Sequence, residues 1–229
     1  TFCKVARKVV FSEYMADDLK DKILAKAKNG GLEESVINAS NLFSDSLSQH
    51  LIAWLSKDNY VETRIMDRWT STKAPSEWRE TPPDYQQGLE PHWSKIRPLV
   101  IDSASIYQAK ALPEYSKDKN SEFFKMVKRV YDESIALDTA KVATAWFWDD
   151  NPNTSDHSGH AVAIIHKVAP PGHWLNIISY LVKDQNSNIF KATKAYTFAA
   201  IAMFDGIISC WHQKYKTNLV RPISYIQEY

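Results

Sequence analysis

The sequence predicts an all-α protein, and two observations support this fold class. Apolar residues recur at helical spacing in several long segments, and no useful stretch alternates between polar and apolar residues as a half-buried strand would. With 229 residues, 44% of them hydrophobic, the chain is long enough to bury one sizeable core. We therefore expect a single helical domain over residues 1–229.

The first part of the chain is expected to hold two helices and a long loop. A charged helix ends at Gly30-Gly31, since adjacent glycines break regular structure. Residues 32–57 form an amphipathic helix whose apolar side chains fall near one face, namely Val36, Phe43, Leu47, Leu51 and Trp54. Residues 78–98 contain several prolines and two tryptophans, which excludes a regular helix and predicts a loop that wraps over the core.

Helix signals are dense in the second part of the chain. Ser121 is a predicted N-cap, followed by a first-turn glutamate and by apolar residues at helical spacing up to Ile135. Asp138 opens the next predicted helix, which runs to Trp148. We expect a short apolar helix over residues 174–182 and a long helix from residue 189 to about residue 219.

Composition excludes several classes of function. The net charge is +1 without a long basic run, so nothing indicates nucleic-acid binding. The apolar stretch 195–211 approaches the length of a membrane span, but it contains Asp205. We therefore predict a buried core helix and a hydrogen-bonded carboxylate rather than a span. The two cysteines, Cys3 and Cys210, cannot form a disulfide framework, and we expect Cys210 to be a small buried side chain.

A pair of cations near the end of the chain is the main candidate for a binding site. Lys214 and Arg221 are seven residues apart, which on one continuous helix gives nearly the same face and a separation of about 10 Å along the axis. Pro222 disfavours α geometry at Arg221, so the helix should stop there and release the guanidinium. A planar guanidinium beside an ammonium suits a phosphate-like oxyanion. The alternative is a cationic helix end that complements the helix dipole.

Lys214, Arg221 and Pro222 resemble the first signature, K-x-x-x-x-x-x-R-P, of a known superfamily. This superfamily joins type-2 phosphatidic acid phosphatases, bacterial acid phosphatases and vanadium-dependent haloperoxidases. Further blocks resemble its soluble bacterial haloperoxidase-like branch and occur in the same order, from about residue 53 onward. They comprise residues 78–85 (WRETPPDY), 90–93 (EPHW), 147–152 (FWDDNP), 171–174 (PGHW) and 199–211 (AAIAMFDGIISCW).

The resemblance implies a helical bundle and a haloperoxidase that oxidises halide with hydrogen peroxide. Its vanadate cofactor is held by two arginines and a lysine and is bound through a histidine. Lys214 would then polarise bound peroxide, Arg221 would clamp the oxyanion, and both would be catalytic, while Trp211 would line the cofactor pocket. With phosphate in the same pocket, the implied reaction is hydrolysis of a phosphomonoester through a phosphohistidine. The resemblance further implies a periplasmic or secreted bacterial protein, and it leaves a homodimer open.

Two later signatures of the superfamily are not found in the sequence. These are P-S-G-H, with the general acid/base histidine, and S-R-x-x-x-x-x-H-x-x-x-D, with a further arginine and the nucleophilic or vanadium-binding histidine. We therefore expect that the 229 residues carry half of a site, belong to a truncated, cleaved or longer protein, and show no turnover by themselves. A third class of function stays open, a helical interaction module that keeps the fold without the chemistry.

One segment is similar in sequence to the second signature. His157-Ser158-Gly159-His160 has histidine in place of proline and precedes Lys214, and it follows a run of turn-forming residues. We predict an exposed surface loop, functionally remote from Lys214. The nearby histidines and aspartates have no zinc-type spacing, so we expect no metal site there; the set is His157, His160, His166, Asp149, Asp150 and Asp156.

Overall fold

The computed structural model describes residues 1–8, 10, 12–82, 84–151, 154–165 and 167–229. Within these residues the chain forms two compact units, residues 1–62 and 63–229. The all-α prediction is confirmed, with one small exception described below. The single-domain prediction stays a prediction.

The first unit is a helical hairpin preceded by a short helix. It contains α1 (Phe2–Ala6), α2 (Glu13–Asn29) and α3 (Glu34–Leu55), followed in the sequence by the single-turn α4 (Tyr60–Thr63). The predicted break lies where expected, because Gly30 is the C-cap of α2 and Gly31 adopts a φ of +82°. Ile37 and Ser48 are the buried residues of α3, and Lys4 forms an ion pair with Asp45.

The second unit begins with a long irregular segment, as its prolines predict. Between α4 and the next helix, the described residues contain one 3₁₀ turn, Trp93–Lys95. Helices α5 (Glu122–Ile135) and α6 (Thr139–Trp148) follow. Both predicted N-caps are confirmed, because Ser121 Oγ accepts a hydrogen bond from Phe124 N at 3.1 Å and Asp138 Oδ1 accepts one from Lys141 N at 2.8 Å.

The predicted surface loop around residue 157 is a β-hairpin. Strand β1 (Thr154–Ser158) pairs antiparallel with β2 (Ala161–Ile165), and Gly159 in the connecting turn adopts a φ of +60°. The loop prediction was wrong because backbone pairing between the two segments outweighs the turn propensity of their residues. The predicted exposure is confirmed, since His157 and His160 are both exposed. His166 and part of the preceding turn-forming run, Pro152 and Asn153, lie outside the described residues.

Three helices complete the second unit. Helix α7 (Pro170–Asp184) is longer than predicted because Pro170 occupies its first turn, where a missing N–H has no cost. Helix α8 (Ile189–Thr217) is the long predicted helix, N-capped by Asn188, and α9 (Pro222–Glu228) is an additional short one. Of the described helices, none is long and apolar enough to cross a membrane.

Two clusters of buried side chains hold the second unit together. One consists of Phe123, Val127, Val220 and Tyr225, which join α5 to the segment around α9. The other consists of Ile96, Ala104 and Ile208, which pack α8 against the irregular segment. By analogy with measured core truncations, a residue such as Phe123 is worth about 3–5 kcal/mol.

Asp205 lies buried in the middle of α8, as predicted. Its carboxylate accepts hydrogen bonds from the backbone N–H groups of Leu99, Val100 and Ile101 at 2.7–3.1 Å. These bonds satisfy the buried polar group and fix the irregular segment to α8. The prediction for Cys210 was wrong, because this residue lies on an exposed face of α8.

Candidate oxyanion-binding site

Lys214 and Arg221 are brought together by a turn rather than by a continuous helix. Helix α8 ends at Thr217, and Asn218 adopts the left-handed conformation with φ 44° and ψ 35°. Arg221 is extended, with φ −71° and ψ 145°, as expected for a residue before proline. The prediction that both cations share one helical face was therefore wrong, as was the prediction that the helix stops at Arg221, because α8 already ends at Thr217. The predicted non-helical backbone of Arg221 before Pro222 is confirmed.

Backbone pairing fixes this turn. Asn218 N donates to Lys214 O at 3.0 Å, which closes the helix end. Leu219 forms an isolated antiparallel bridge with Glu77, in which Trp78 N donates to Asn218 O at 2.8 Å and Val220 N donates to Ser76 O at 3.0 Å. Val220 is buried in the core, so the residue that follows it is held at a defined position.

Lys214 and Arg221 line two neighbouring cavities, together with Trp78 and Gly88. The first cavity has a volume near 180 Å³ and a polar lining, and the second has a volume near 250 Å³ and a more apolar lining. Since one water occupies about 30 Å³, the first has room for a small oxyanion. Its other described lining residues are Thr81, Pro82, Asp84, Gln86, Gln87, Leu89 and Asn151.

The electrostatics of the two cations favour an anionic ligand. Lys214 is half-buried, and burial, with the positive charge of Arg221 as the second cause, lowers the pKa of its ammonium. The Arg221 guanidinium lies 5.6 Å from the centre of the Trp78 ring. Within the described part of the chain, no carboxylate lies within 4.0 Å of either cation. Two cations with no carboxylate within ion-pair distance of them fit an oxyanion such as vanadate or phosphate.

The indole ring of Trp211 packs against the Lys214 ammonium. Lys214 Nζ lies 4.7 Å from the centre of the Trp211 ring, a cation–π distance. The indole N–H of Trp211 donates to Leu89 O at 3.0 Å, and Tyr215 Oη donates to the same carbonyl at 2.6 Å. Trp211 is not among the described residues that line either cavity, so its contact with a cofactor stays a prediction.

The segment that carries Leu89 approaches α8 very closely. A Cβ atom at Gly88 would lie 2.9 Å from Tyr215 Oη and 3.2 Å from Trp69 Cε3. Glycine is therefore required for the close approach that lets Leu89 accept both hydrogen bonds. Burial and the charge of Glu90 raise the pKa of Tyr215 to about 12, so its phenol remains a donor at physiological pH.

The lining of the first cavity also includes a carboxylate, Asp84, which was not among the predicted site residues. Asp84 Oδ1 accepts a hydrogen bond from Ser155 Oγ at 2.6 Å and one from His157 Nε2 at 2.5 Å. The hairpin is thus tied to the rim of the cavity that Lys214 lines. Functional remoteness of His157 from Lys214 stays a prediction. The sequence signal for Asp84 was its position in the block of residues 78–85 (WRETPPDY).

The group of Ser155, His157 and Asp84 is not a nucleophilic triad. Such a triad uses one histidine nitrogen for the carboxylate and the other for the serine. Here His157 Nε2 contacts both Asp84 Oδ1 and, at 3.2 Å, Ser155 Oγ. Ser155 donates its proton to the carboxylate, so its oxygen is not activated as a nucleophile.

The remaining acidic residues near the hairpin are paired separately. Asp149 forms an ion pair with Lys167, and Asp150 Oδ1 lies 2.7 Å from His173 Nδ1. The described residues contain no group of three or more histidine, cysteine, aspartate or glutamate side chains arranged to hold a metal ion.

These features define the class of protein: an all-α fold with a lysine and an arginine presented at one polar cavity. The structure is similar to that of a bacterial vanadium-dependent iodoperoxidase, with a TM-score of 0.86 and 34% sequence identity. The match covers 99% of this chain and 53% of the other, so this chain spans about half of that protein's length. No family model and no curated protein sequence matches the chain. With the K-x-x-x-x-x-x-R-P signature, the structural match places the chain in the vanadium haloperoxidase superfamily.

Proposed function

We propose that the chain supplies the lysine and one arginine of a vanadate site in a haloperoxidase that oxidises halide with hydrogen peroxide. The observation that carries this proposal is the pair Lys214 and Arg221, which line one polar cavity and, among the described residues, have no carboxylate within ion-pair distance. The similarity to a vanadium-dependent iodoperoxidase supports the choice of vanadate.

The two cations have different roles in this proposal. Arg221 offers a planar fork that can bond two oxygens of an oxyanion at once. Lys214 offers a compact ammonium that is already partly removed from water, so it interacts more strongly with an anion than a fully solvated lysine does. Bound vanadate would supply a Lewis-acidic centre for the oxidation of halide by peroxide.

Binding is tested first, by titrating vanadate into the 229-residue chain and following the heat of binding. Arg221→Ala removes a bidentate charged contact and should weaken binding by about 2–3 kcal/mol. Arg129→Ala is the matched control, because it removes the same charge from an exposed position on α5. Equal vanadate affinities for the wild type and Arg221→Ala would contradict the site.

Turnover assays distinguish the haloperoxidase hypothesis from the phosphatase hypothesis. Halogenation of an organic acceptor is measured with vanadate, peroxide and iodide or bromide, and phosphate release from a simple monoester is measured without vanadate. Both assays use the 229-residue chain and the longest natural form of the protein. Halogenation supports the haloperoxidase proposal. Phosphate release without halogenation would assign the site to phosphomonoester hydrolysis, and binding without either turnover would support the non-catalytic module.

A further inference from the structure

The first cavity combines two cations with a carboxylate, which is unusual for a site that holds an anion. Lys214, Arg221 and Asp84 all line it. A carboxylate repels any anion that presents only bare oxygens to it. It attracts an anion that presents an O–H group, because that hydrogen can be donated to the carboxylate.

The bonding of Asp84 leaves an acceptor for such a ligand. The hydrogen bonds from Ser155 and His157 both end on Oδ1. Within the described residues, Oδ2 has no hydrogen-bond donor and no cation within ion-pair distance. The Ser155 bond, followed by the His157 bond, lowers the pKa of Asp84, so the carboxylate is ionised at neutral pH and acts as an acceptor only.

We propose that Asp84 is a specificity residue that makes this cavity select protonated oxyanions, of the phosphate and vanadate type, over oxyanions without a hydrogen, of the sulfate type. This inference rests on the proposed oxyanion site. Phosphate and vanadate retain at least one O–H group near neutral pH, whereas sulfate has none. Lys214 and Arg221 bind the negative charge of either ion. Asp84 accepts a hydrogen bond only from the ion that has an O–H group.

The test compares inorganic phosphate with sulfate at pH 7, using titration calorimetry on the 229-residue chain. Phosphate should bind the wild type at least about tenfold more tightly than sulfate, the ratio expected for one charged hydrogen bond gained or lost. Asp84→Asn should reduce this preference to less than about threefold, mainly through tighter sulfate binding, because the amide can donate a hydrogen bond to sulfate.

Two further variants make the result specific. Asp156→Asn is the matched control: its side chain points to the opposite face of β1 from Ser155 and His157, so the preference for phosphate should persist. Asp84→Ala removes the acceptor without adding a donor, and it should also abolish the preference. Circular dichroism of each variant establishes that the loss of preference occurs in a folded chain.

The outcomes separate this inference from the function on which it rests. If the wild type binds neither anion, or if Arg221→Ala leaves both affinities unchanged, the oxyanion site itself is wrong. If the wild type binds both anions through Arg221 with equal affinity, the site stands and the role of Asp84 is wrong. Retention of the phosphate preference by both Asp84 variants would also overturn that role.

Discussion

Two parts of the lining of the first cavity, here called its cationic and acidic sides, are built in different ways. The cationic side consists of Lys214 and Arg221, which are seven residues apart and are joined by a single left-handed turn at Asn218. The acidic side consists of Asp84, which lies on an irregular segment and is held by a hairpin more than 70 residues further along the chain. One side is specified by local sequence and the other by contacts over long range.

This difference predicts how substitutions on each side affect the stability of the fold and the geometry of the cavity. A local turn is stabilised by backbone preferences, so substitutions there should shift stability by modest amounts and act mainly on Arg221. The acidic side depends on a segment with little regular structure, whose position comes from a few close contacts with α8. A substitution at one of those contacts should displace the whole side of the cavity.

The largest expected effect is on the acidic side, at Gly88→Ala. The new Cβ would lie 2.9 Å from Tyr215 Oη, so Tyr215 or the segment must move and the two hydrogen bonds to Leu89 O weaken. We expect a loss of about 1–3 kcal/mol in the free energy of unfolding, as for other overpacked sites, and a loss of phosphate binding. Urea denaturation and calorimetry measure the two effects.

Gly206→Ala is the control for this substitution. Gly206 lies within α8, and nothing lies within 4 Å of the position that its Cβ would occupy. Alanine should therefore stabilise the helix by up to about 1 kcal/mol and leave anion binding unchanged. Equal effects of the two substitutions would show that the segment around Gly88 does not depend on its close approach to α8.

The sequence predicts the features that depend on neighbouring residues, and it does not predict those that depend on long-range contacts. The long helices, the N-caps at Ser121 and Asp138, and the extended backbone of Arg221 before proline depend on neighbouring residues, and their prediction is confirmed. The hairpin and the placement of Asp84 depend on pairing between distant segments. No local pattern reports such pairing, so the hairpin was predicted as a loop and Asp84 was not selected.

Lys214 and Arg221 show, within one motif, how far the local sequence predicts the geometry of the site. Their spacing predicted a shared helical face, and this was wrong because α8 ends three residues after Lys214. The signal for that end is Asn218, a residue type that tolerates the left-handed conformation. The bridge between Leu219 and Glu77, which completes the turn, has no counterpart in the local sequence.

A medium effect is expected on the cationic side, at Asn218→Ala. Alanine in the left-handed conformation costs about 1–2 kcal/mol, so the variant should lose about 1 kcal/mol of stability relative to wild type. Asn218→Gly is the matched control and should be close to neutral, because glycine adopts this conformation without a steric cost. Thermal unfolding compares the three proteins. A loss in the glycine variant as large as in the alanine variant would show that the Asn218 side chain, and not its backbone conformation, stabilises the turn.

The smallest expected effect is at Lys214→Met, and its sign depends on pH and on anions. Burial and Arg221 lower the pKa of Lys214 below its ordinary value of 10.5, so the folded state holds the Lys214 proton less tightly than the unfolded state does. The protonated lysine therefore destabilises the fold at neutral pH, and this cost disappears as the pH rises through the lowered pKa toward 10.5. Methionine has no such cost at any pH.

In a buffer without oxyanions at pH 7, Lys214→Met should therefore be more stable than wild type, by less than about 1 kcal/mol because water screens the half-exposed ammonium. The difference should shrink as the pH rises toward 10.5. Added phosphate should raise the unfolding temperature of the wild type but not of the variant, since ligand binding stabilises only the form that binds.

Lys183→Met is the control. Lys183 lies at the exposed C-terminal end of α7, where a positive charge is favourable, so this variant should show no gain in stability. If Lys214→Met is less stable than wild type at pH 7 without oxyanions, Lys214 stabilises the fold, and the cationic side does not carry an electrostatic cost that an anion relieves.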